Sequence, residues 1–350
     1  MLEKFVQILN QGHKVYFLGE IKNYYFLILI LLILYILTKS LLFGILAGLT
    51  IFFFFFFEIY QGIKSHGIKK EIFEIFVALG LAAAVWFGMG FLLNTPSPIN
   101  AIVSCSMLPS YERGDLIILE GGKIKTNYFE YNGKIKEILD NPSVYYREQK
   151  LDLNYSIYVY CIYNKQEDIC QIFKTEPNLF YEKYGPIKLK YDLCKKYYKK
   201  NDLIFQTPCI KKAYYDTKEI PFSKDLDLIV YTPKKTEMYG ELGGDIIHRS
   251  VFAIKSNDGI YYFTKGDNNP IYDFQLSDPM KGYRNLAPNQ EQLKGRVIFK
   301  IPYVGNVKLV ITPQVLLLNE EQTGCGSYFI DWVMSSSNWF NLIRGNKTNR

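Results

Sequence analysis

Histidine is scarce in this chain of 350 residues: His13, His66 and His248 are all it has. That leaves little material for a histidine-built metal centre. The six cysteines do not supply one either, because the spacings of Cys161, Cys170, Cys194 and Cys209 follow no zinc-ligand pattern. No internal repeat is present, which sets aside solenoids and propellers. The first apolar run has no cationic segment followed by a small-residue cleavage site, so a removable leader describes it poorly. The net charge of +7 is spread over Lys- and Tyr-rich segments such as Lys195 to Lys200. On an external domain such segments suit anionic lipid headgroups better than nucleic acid, and a solvated face accounts for them equally well.

What the chain has in abundance is apolar surface, 49% of residues, concentrated in three runs ahead of Asn94. They are Ile21 to Thr38, Leu41 to Tyr60 and Ile72 to Leu93. Crossing a hydrocarbon core takes roughly 20 largely uncharged residues, so all three read as retained membrane helices. Lys64, Lys69 and Lys70 fall in a short loop before the third run, which places that loop in the cytoplasm and everything after Asn94 outside. A tight turn at Lys39 and Ser40 puts the N-terminus inside; one long bent helix over the first two runs would reverse it.

The expected organisation is a membrane anchor over residues 1–94, a mostly antiparallel β domain over 95–122 and 225–318, and an insert over 123–224. An aromatic tail follows over 319–350. Short β-branched or aromatic runs bounded by turn formers carry the β reading: Asp115 to Leu119, Asp227 to Tyr231, Asp245 to His248, Val251 to Lys255, Ile260 to Thr264 and Val297 to Ile301. The insert, α+β or irregular, is rich in Tyr, Lys, Asp and Asn and holds four cysteines. An even number of extracytoplasmic cysteines suits disulfides, two of them within this stretch with the connectivity open. The tail, with Trp332, Trp339 and Phe340, fits an interfacial helix or packing on the β domain.

Ser106 precedes a Met-Leu-Pro turn about a dozen residues from the membrane exit. With His13 and His66 on the cytoplasmic side, His248 is the one external imidazole, and acyl transfer by a serine–histidine pair has no other base to use. Thr264 to Asp273 (TKGDNNPIYD) is a strand end running into a loop dense in turn formers. Asp267 and Asp273 could each hold an imidazole N–H, and turn capping accounts for either one as well.

In this order the pieces resemble the boxes of the type I signal peptidases. Ser104 to Pro109 (SCSMLP) resembles the nucleophile box, Arg113 to Ile118 the strand after it, and Ile247 to Arg249 the base box. Gly266 to Asp273 resembles the acidic box, and Gly295 to Phe299 with Ile301 to Gly305 the closing strands. A histidine stands where the common bacterial members carry a lysine base, so the chain is similar to the archaeal and endoplasmic reticulum branch. The resemblance covers residues 95–122 and 225–310; the multi-pass anchor and the insert depart from it, and Cys105 stands where the family commonly has a small residue.

The resemblance implies a membrane-bound serine endopeptidase that removes signal peptides from exported preproteins at the extracytoplasmic face. Ser106 is then the nucleophile, His248 the base and Asp273 its orienter, with Asp267 supporting the loop and Ser104 sharing the oxyanion hole with the Ser106 N–H. No cofactor or metal is needed. The expected partners are signal peptides, the lipid bilayer and other membrane subunits; the expected address is a cell membrane, with the endoplasmic reticulum as the alternative. A specialised processing protease with dedicated substrates and an inactive membrane-tethered scaffold are the competing readings.

Overall fold

The computed structural model describes residues 23–38, 41–140, 142–199, 202–302 and 304–305. The aromatic tail, the Lys39-Ser40 turn and His13 lie outside the described residues.

The apolar runs are helical: α1 spans Asn23–Thr38, α2 Leu41–His66 and α3 Ile68–Leu92. Among the described residues, two stretches, Leu46–His66 and Ile68–Leu92, are long and apolar enough to cross a membrane by length and composition; α1 at 16 residues is shorter. Helix α3 buries none of its residues, and Phe73, Phe76 and Phe91 are 66%, 69% and 86% exposed. The loop expected around Lys64, Lys69 and Lys70 shrinks to a single break at Gly67, which takes a φ of +82° that favours glycine, and all three lysines are helical. Nothing in residues 61–66 is a proline, so the helical hydrogen bonds simply continue past the apolar run.

Beyond α3 the chain builds a seven-stranded sheet from β1 (Ile99–Ala101), β2 (Leu116–Glu120), β3 (Asn127–Glu130), β10 (Leu228–Tyr231), β11 (Ile246–Ser256), β12 (Gly259–Lys265) and β15 (Leu293–Ile301). The path runs β1-β2-β15-β10-β11-β12, every neighbour antiparallel; β3 lies parallel to β11. In β2 burial alternates, with Ile117 and Leu119 inward, as one covered face requires. The two runs expected at Asp245 to His248 and Val251 to Lys255 are one strand, β11, with a bulge between Ser250 and Phe252. The polar Arg249-Ser250 pair does not end it, because the Arg249 guanidinium is neutralised inside the fold by Asp267.

Between β3 and β10 in sequence lies a second, six-stranded antiparallel sheet, ordered β5-β4-β6-β7-β8-β9. Its strands are β4 (Pro142–Tyr146), β5 (Gln149–Leu151), β6 (Phe180–Tyr184), β7 (Ile187–Lys199), β8 (Asp202–Tyr215) and β9 (Lys218–Ile220). Helices α4 (Ile135–Leu139), α5 (Ile157–Tyr163) and α6 (Asp168–Thr175) accompany it. Disulfides join Cys161 to Cys170 and Cys194 to Cys209, and Cys105 is disulfide-bonded as well. The two sheets share one core: Val144, Phe180, Ile187 and Leu189 of the second pack with Val251, Phe252 and Phe263 of the first and with Phe274 of the loop that follows β12. Phe252 and Phe263 stack at 4.4 Å between centroids, and each buried side chain of this size contributes about 1.5–3 kcal/mol. A short helix, α7 (Met238–Leu242), links β10 to β11, and a two-stranded ribbon of β13 (Ser277–Asp278) and β14 (Tyr283–Arg284) precedes β15.

Candidate active site

Ser106 sits in a tight run of turns between β1 and β2, fixed by main-chain bonds from the Leu108 N–H to the Cys105 carbonyl and from the Tyr111 N–H to the Met107 carbonyl. The loop after β12 closes over it: the Asn268 N–H donates to the Ser106 carbonyl at 2.8 Å, and the Asn268 side-chain amide donates to the Cys105 carbonyl at 3.1 Å. Gly266 permits this approach, since a Cβ there would lie 2.7 Å from the Ser106 carbonyl oxygen.

Strand β11 carries His248 to the same place. Its Nε2 lies 3.0 Å from the Ser106 Oγ, and its Nδ1 lies 2.6 Å from Asp273 Oδ2. With the carboxylate accepting from Nδ1–H, Nε2 is left as the acceptor for the serine proton. Burial rises along the line: Ser106 is partly exposed, His248 is 4% exposed and Asp273 1%. A substrate can therefore reach the hydroxyl while the imidazole and carboxylate stay dry.

Asp273 opens a 3₁₀ turn, Asp273–Gln275, and receives three further hydrogen bonds: from Thr264 at 2.6 Å, Tyr231 at 3.2 Å and Tyr239 at 3.2 Å. Burial, and then the charge of Asp273, push both tyrosine hydroxyls well above their ordinary range, so they remain donors. Asp267 stands elsewhere. It accepts two bonds from Arg249, at 2.8 and 2.7 Å, and one from Ser110 at 2.6 Å. The Ser104 hydroxyl lies 3.2 Å from that of Ser106. Lys265, 8% exposed, is lowered to about 8 by burial, against the opposing pull of Asp267 and Asp273. No group of three or more His, Cys, Asp or Glu that could hold a metal occurs among the described residues.

Of the five residues named from sequence, the fold thus brings Ser106, His248, Asp273 and Ser104 together and pairs Asp267 with Arg249 instead. Sequence reading assigned no part to Thr264, Arg249 or Asn268, although each lies inside or beside a quoted box. Tyr231 and Tyr239 gave no signal at all among 29 tyrosines.

The site also has a definite height in the sheet. His248 is paired with Ile229, Ile229 with Arg296 and Arg296 with Glu120. The next residue, Gly121, donates its N–H to the Leu93 carbonyl just past α3. The imidazole therefore stands on nearly the same rung as the point where the apolar helix meets the sheet.

A hydroxyl, an imidazole and a sealed carboxylate in line form the constellation of serine acyl-transfer catalysts. Over part of its length the chain is similar to catalytic subunits of the signal peptidase complex, the SEC11 proteins. It is 31% identical to the one from Leptosphaeria maculans over 81 residues, 22% of this chain and 47% of that protein. Against the Pyrenophora tritici-repentis subunit it is 35% identical over 74 residues, 20% of this chain and 43% of the relative. Against the Dictyostelium discoideum subunit it is 32% identical over 60 residues, 17% and 34% of the two chains. The chain spans less than half the length of these curated relatives. No family model matches it.

Proposed function

We propose that this protein is a membrane-bound serine endopeptidase of the signal peptidase type, removing signal peptides from preproteins at the extracytoplasmic face of the membrane. The observation that carries the reading is the unbroken line from the Ser106 Oγ through His248 to Asp273, with contacts of 3.0 and 2.6 Å.

In this reading His248 Nε2 takes the Ser106 proton as Oγ attacks the scissile carbonyl, and Asp273 stabilises the imidazolium that results. The tetrahedral oxyanion is held by the Ser106 N–H and the Ser104 hydroxyl. His248 then protonates the departing amine, which leaves as the N-terminus of the mature protein. Water, deprotonated by the same imidazole, releases the leader with a free carboxylate and restores the serine. Asp267 does not touch the reacting groups; it holds Arg249, the residue after the base.

Helices α2 and α3 act as the bilayer anchor, since the exposed apolar surface of α3 is stable only in an apolar solvent. The rung that joins His248 to the helix exit then sets the cut close to the membrane surface, where a leader peptide ends. The stretch expected over 123–224 is the insert on the signal peptidase core, although β3 at its start pairs with β11 of the first sheet. Other membrane subunits are the expected partners, and the address is a multi-pass one in the cell membrane or, as the alternative, the endoplasmic reticulum membrane.

The test is cleavage of a model preprotein by the full chain in liposomes, beside Ser106→Ala and His248→Ala. Release of the leader after a small residue, with loss of about 10⁴-fold or more in both variants, is the expected result. Normal cleavage by His248→Ala would overturn the mechanism, and an inert wild type would leave the scaffold reading in its place.

A further inference from the structure

The acidic loop, residues 266–275, does not stand on the first sheet alone. The second sheet grips it at three points. At one end the Asn268 side chain bonds the Tyr197 main chain twice, accepting from its N–H at 2.9 Å and donating to its carbonyl at 2.8 Å. In the middle the Ile210 N–H of β8 donates to the Pro270 carbonyl at 2.8 Å. At the other end the Gln275 amide donates to Glu182 of β6 at 2.7 Å, and its carbonyl oxygen accepts from the Tyr272 N–H at 2.9 Å.

Glu182 is fully buried, at 0% exposure. Besides Gln275, its carboxylate accepts from the Ser156 hydroxyl at 2.8 Å, the Ile157 N–H at 2.9 Å, the Tyr191 hydroxyl at 2.6 Å and the Tyr184 hydroxyl at 2.8 Å. All five partners are neutral donors. An apolar side chain of similar volume would be less costly in such a place than a carboxylate. What a carboxylate adds is direction, because five donors, two from the start of α5 and one each from β6, β7 and the 3₁₀ turn, must converge on two oxygens.

We propose that Glu182 is a positioning residue for the reaction, and that the second sheet is a working part of the site. This rests on the reading of Ser106, His248 and Asp273 as the catalytic line. Gln275 and Asp273 belong to the same 3₁₀ turn, so the place of the Gln275 amide sets the place of the Asp273 carboxylate. The imidazole is spanned between Asp273 and Ser106 with contacts of 2.6 and 3.0 Å, and the loop that holds Asp273 also holds the Ser106 carbonyl through Asn268. A displacement of the turn is therefore passed directly to both ends of the line.

The experiment compares Gln275→Ala, Glu182→Gln and Val144→Ala with wild type, as full chains in detergent. Val144 is fully buried in the core that it shares with Phe274, and its side chain makes no hydrogen bond, so its truncation reports what loosening the packing does while the hydrogen bonds of Glu182 and Gln275 stay in place. Expected is a loss of about 10- to 100-fold in kcat at unchanged KM for Gln275→Ala and Glu182→Gln, and wild-type kcat for Val144→Ala although its Tm falls. In the same samples, the low-field proton resonance of the imidazole–carboxylate contact should shift or broaden in Gln275→Ala and stay in place in Val144→Ala. Wild-type kcat in the first two variants, or an equal loss in Val144→Ala, overturns the proposal. Should wild type cleave no preprotein, the function reading fails, and the proton resonance alone decides whether Glu182 and Gln275 position the line.

Discussion

In the loop after the first sheet's β12 the buried carboxylate, Asp273, faces an imidazole; in the second sheet, Glu182 faces only neutral hydrogen-bond donors. A carboxylate beside a group that can gain a proton can stabilise charge that appears during a reaction. One held among hydroxyls and amides can orient its surroundings and nothing more. Asp267 is a third case: its partner, the Arg249 guanidinium, is permanently charged, so the pair is a fixed strut. Burial alone therefore does not mark a catalytic acid; what the oxygens meet does.

The sharpest break of this comparison is Asp273→Asn against Asp267→Asn. The first leaves His248 without its stabilising charge and should lower kcat by about 10³- to 10⁴-fold with the fold intact. The second strands a buried guanidinium and should cost about 3–5 kcal/mol of stability, read as a fall in the denaturant midpoint. Exchange of the two outcomes would mean that the roles of the acids are reversed.

Next in size is Ser104→Ala. If its hydroxyl helps hold the oxyanion, preprotein cleavage slows by about 10²- to 10³-fold while the fold is unchanged. A wild-type rate would confine Ser104 to the turn.

The Cys161–Cys170 disulfide joins helices α5 and α6, which accompany the second sheet, and should add stability without touching the chemistry, unlike a bond at Cys105, next to Ser106. Replacing Cys161 and Cys170, which close a separation of 9 residues, by serine should cost about 2–4 kcal/mol, seen in the denaturation midpoint. The kcat should not follow; if it did, the two sheets would be coupled through more than the acidic loop.

The smallest effect is on pH dependence. Burial, with the charge of Lys265, lowers Lys196 to about 7, and burial lowers Lys265 to about 8, from an ordinary 10.5. Between those values and 10.5 the unfolded chain holds more protons than the folded one, so stability rises as pH rises through that window. Below about 7 the cost of charging both buried amines is fully present. The Tm should thus climb from pH 7 toward 10, and Lys196→Met should raise it at pH 7 and flatten the climb. A Tm falling over that range in wild type would show that the amines are charged and paired in the folded state.

Much of the first sheet was legible because its signals are local. Short β-branched runs between turn formers mark β2, β10 and β12 within a residue or so, and apolar runs mark α2 and α3. The fusion of two expected strands into β11 was not, since the reason Arg249 can lie inside a strand is Asp267, eighteen residues further on. The separate strands of the insert, expected to be α+β or irregular, were less legible: the stretch holds a six-stranded sheet and helices α4 to α6, and its Tyr and Lys side chains follow no simple alternation, Lys183 and Lys188 lying against the ring of Tyr181.

By itself the sequence narrowed the imidazole available to Ser106 to one, because His248 is the one histidine beyond the apolar runs, and it marked the apolar helices, whose length and composition are readable without a fold. Tertiary structure decided which of two aspartates, six residues apart in one loop, meets that histidine, which cysteines join, and that Glu182 reaches the loop from another sheet. Those choices depend on which donors converge on a given oxygen, and donors separated by ninety residues of chain become neighbours only when two sheets close on a common core.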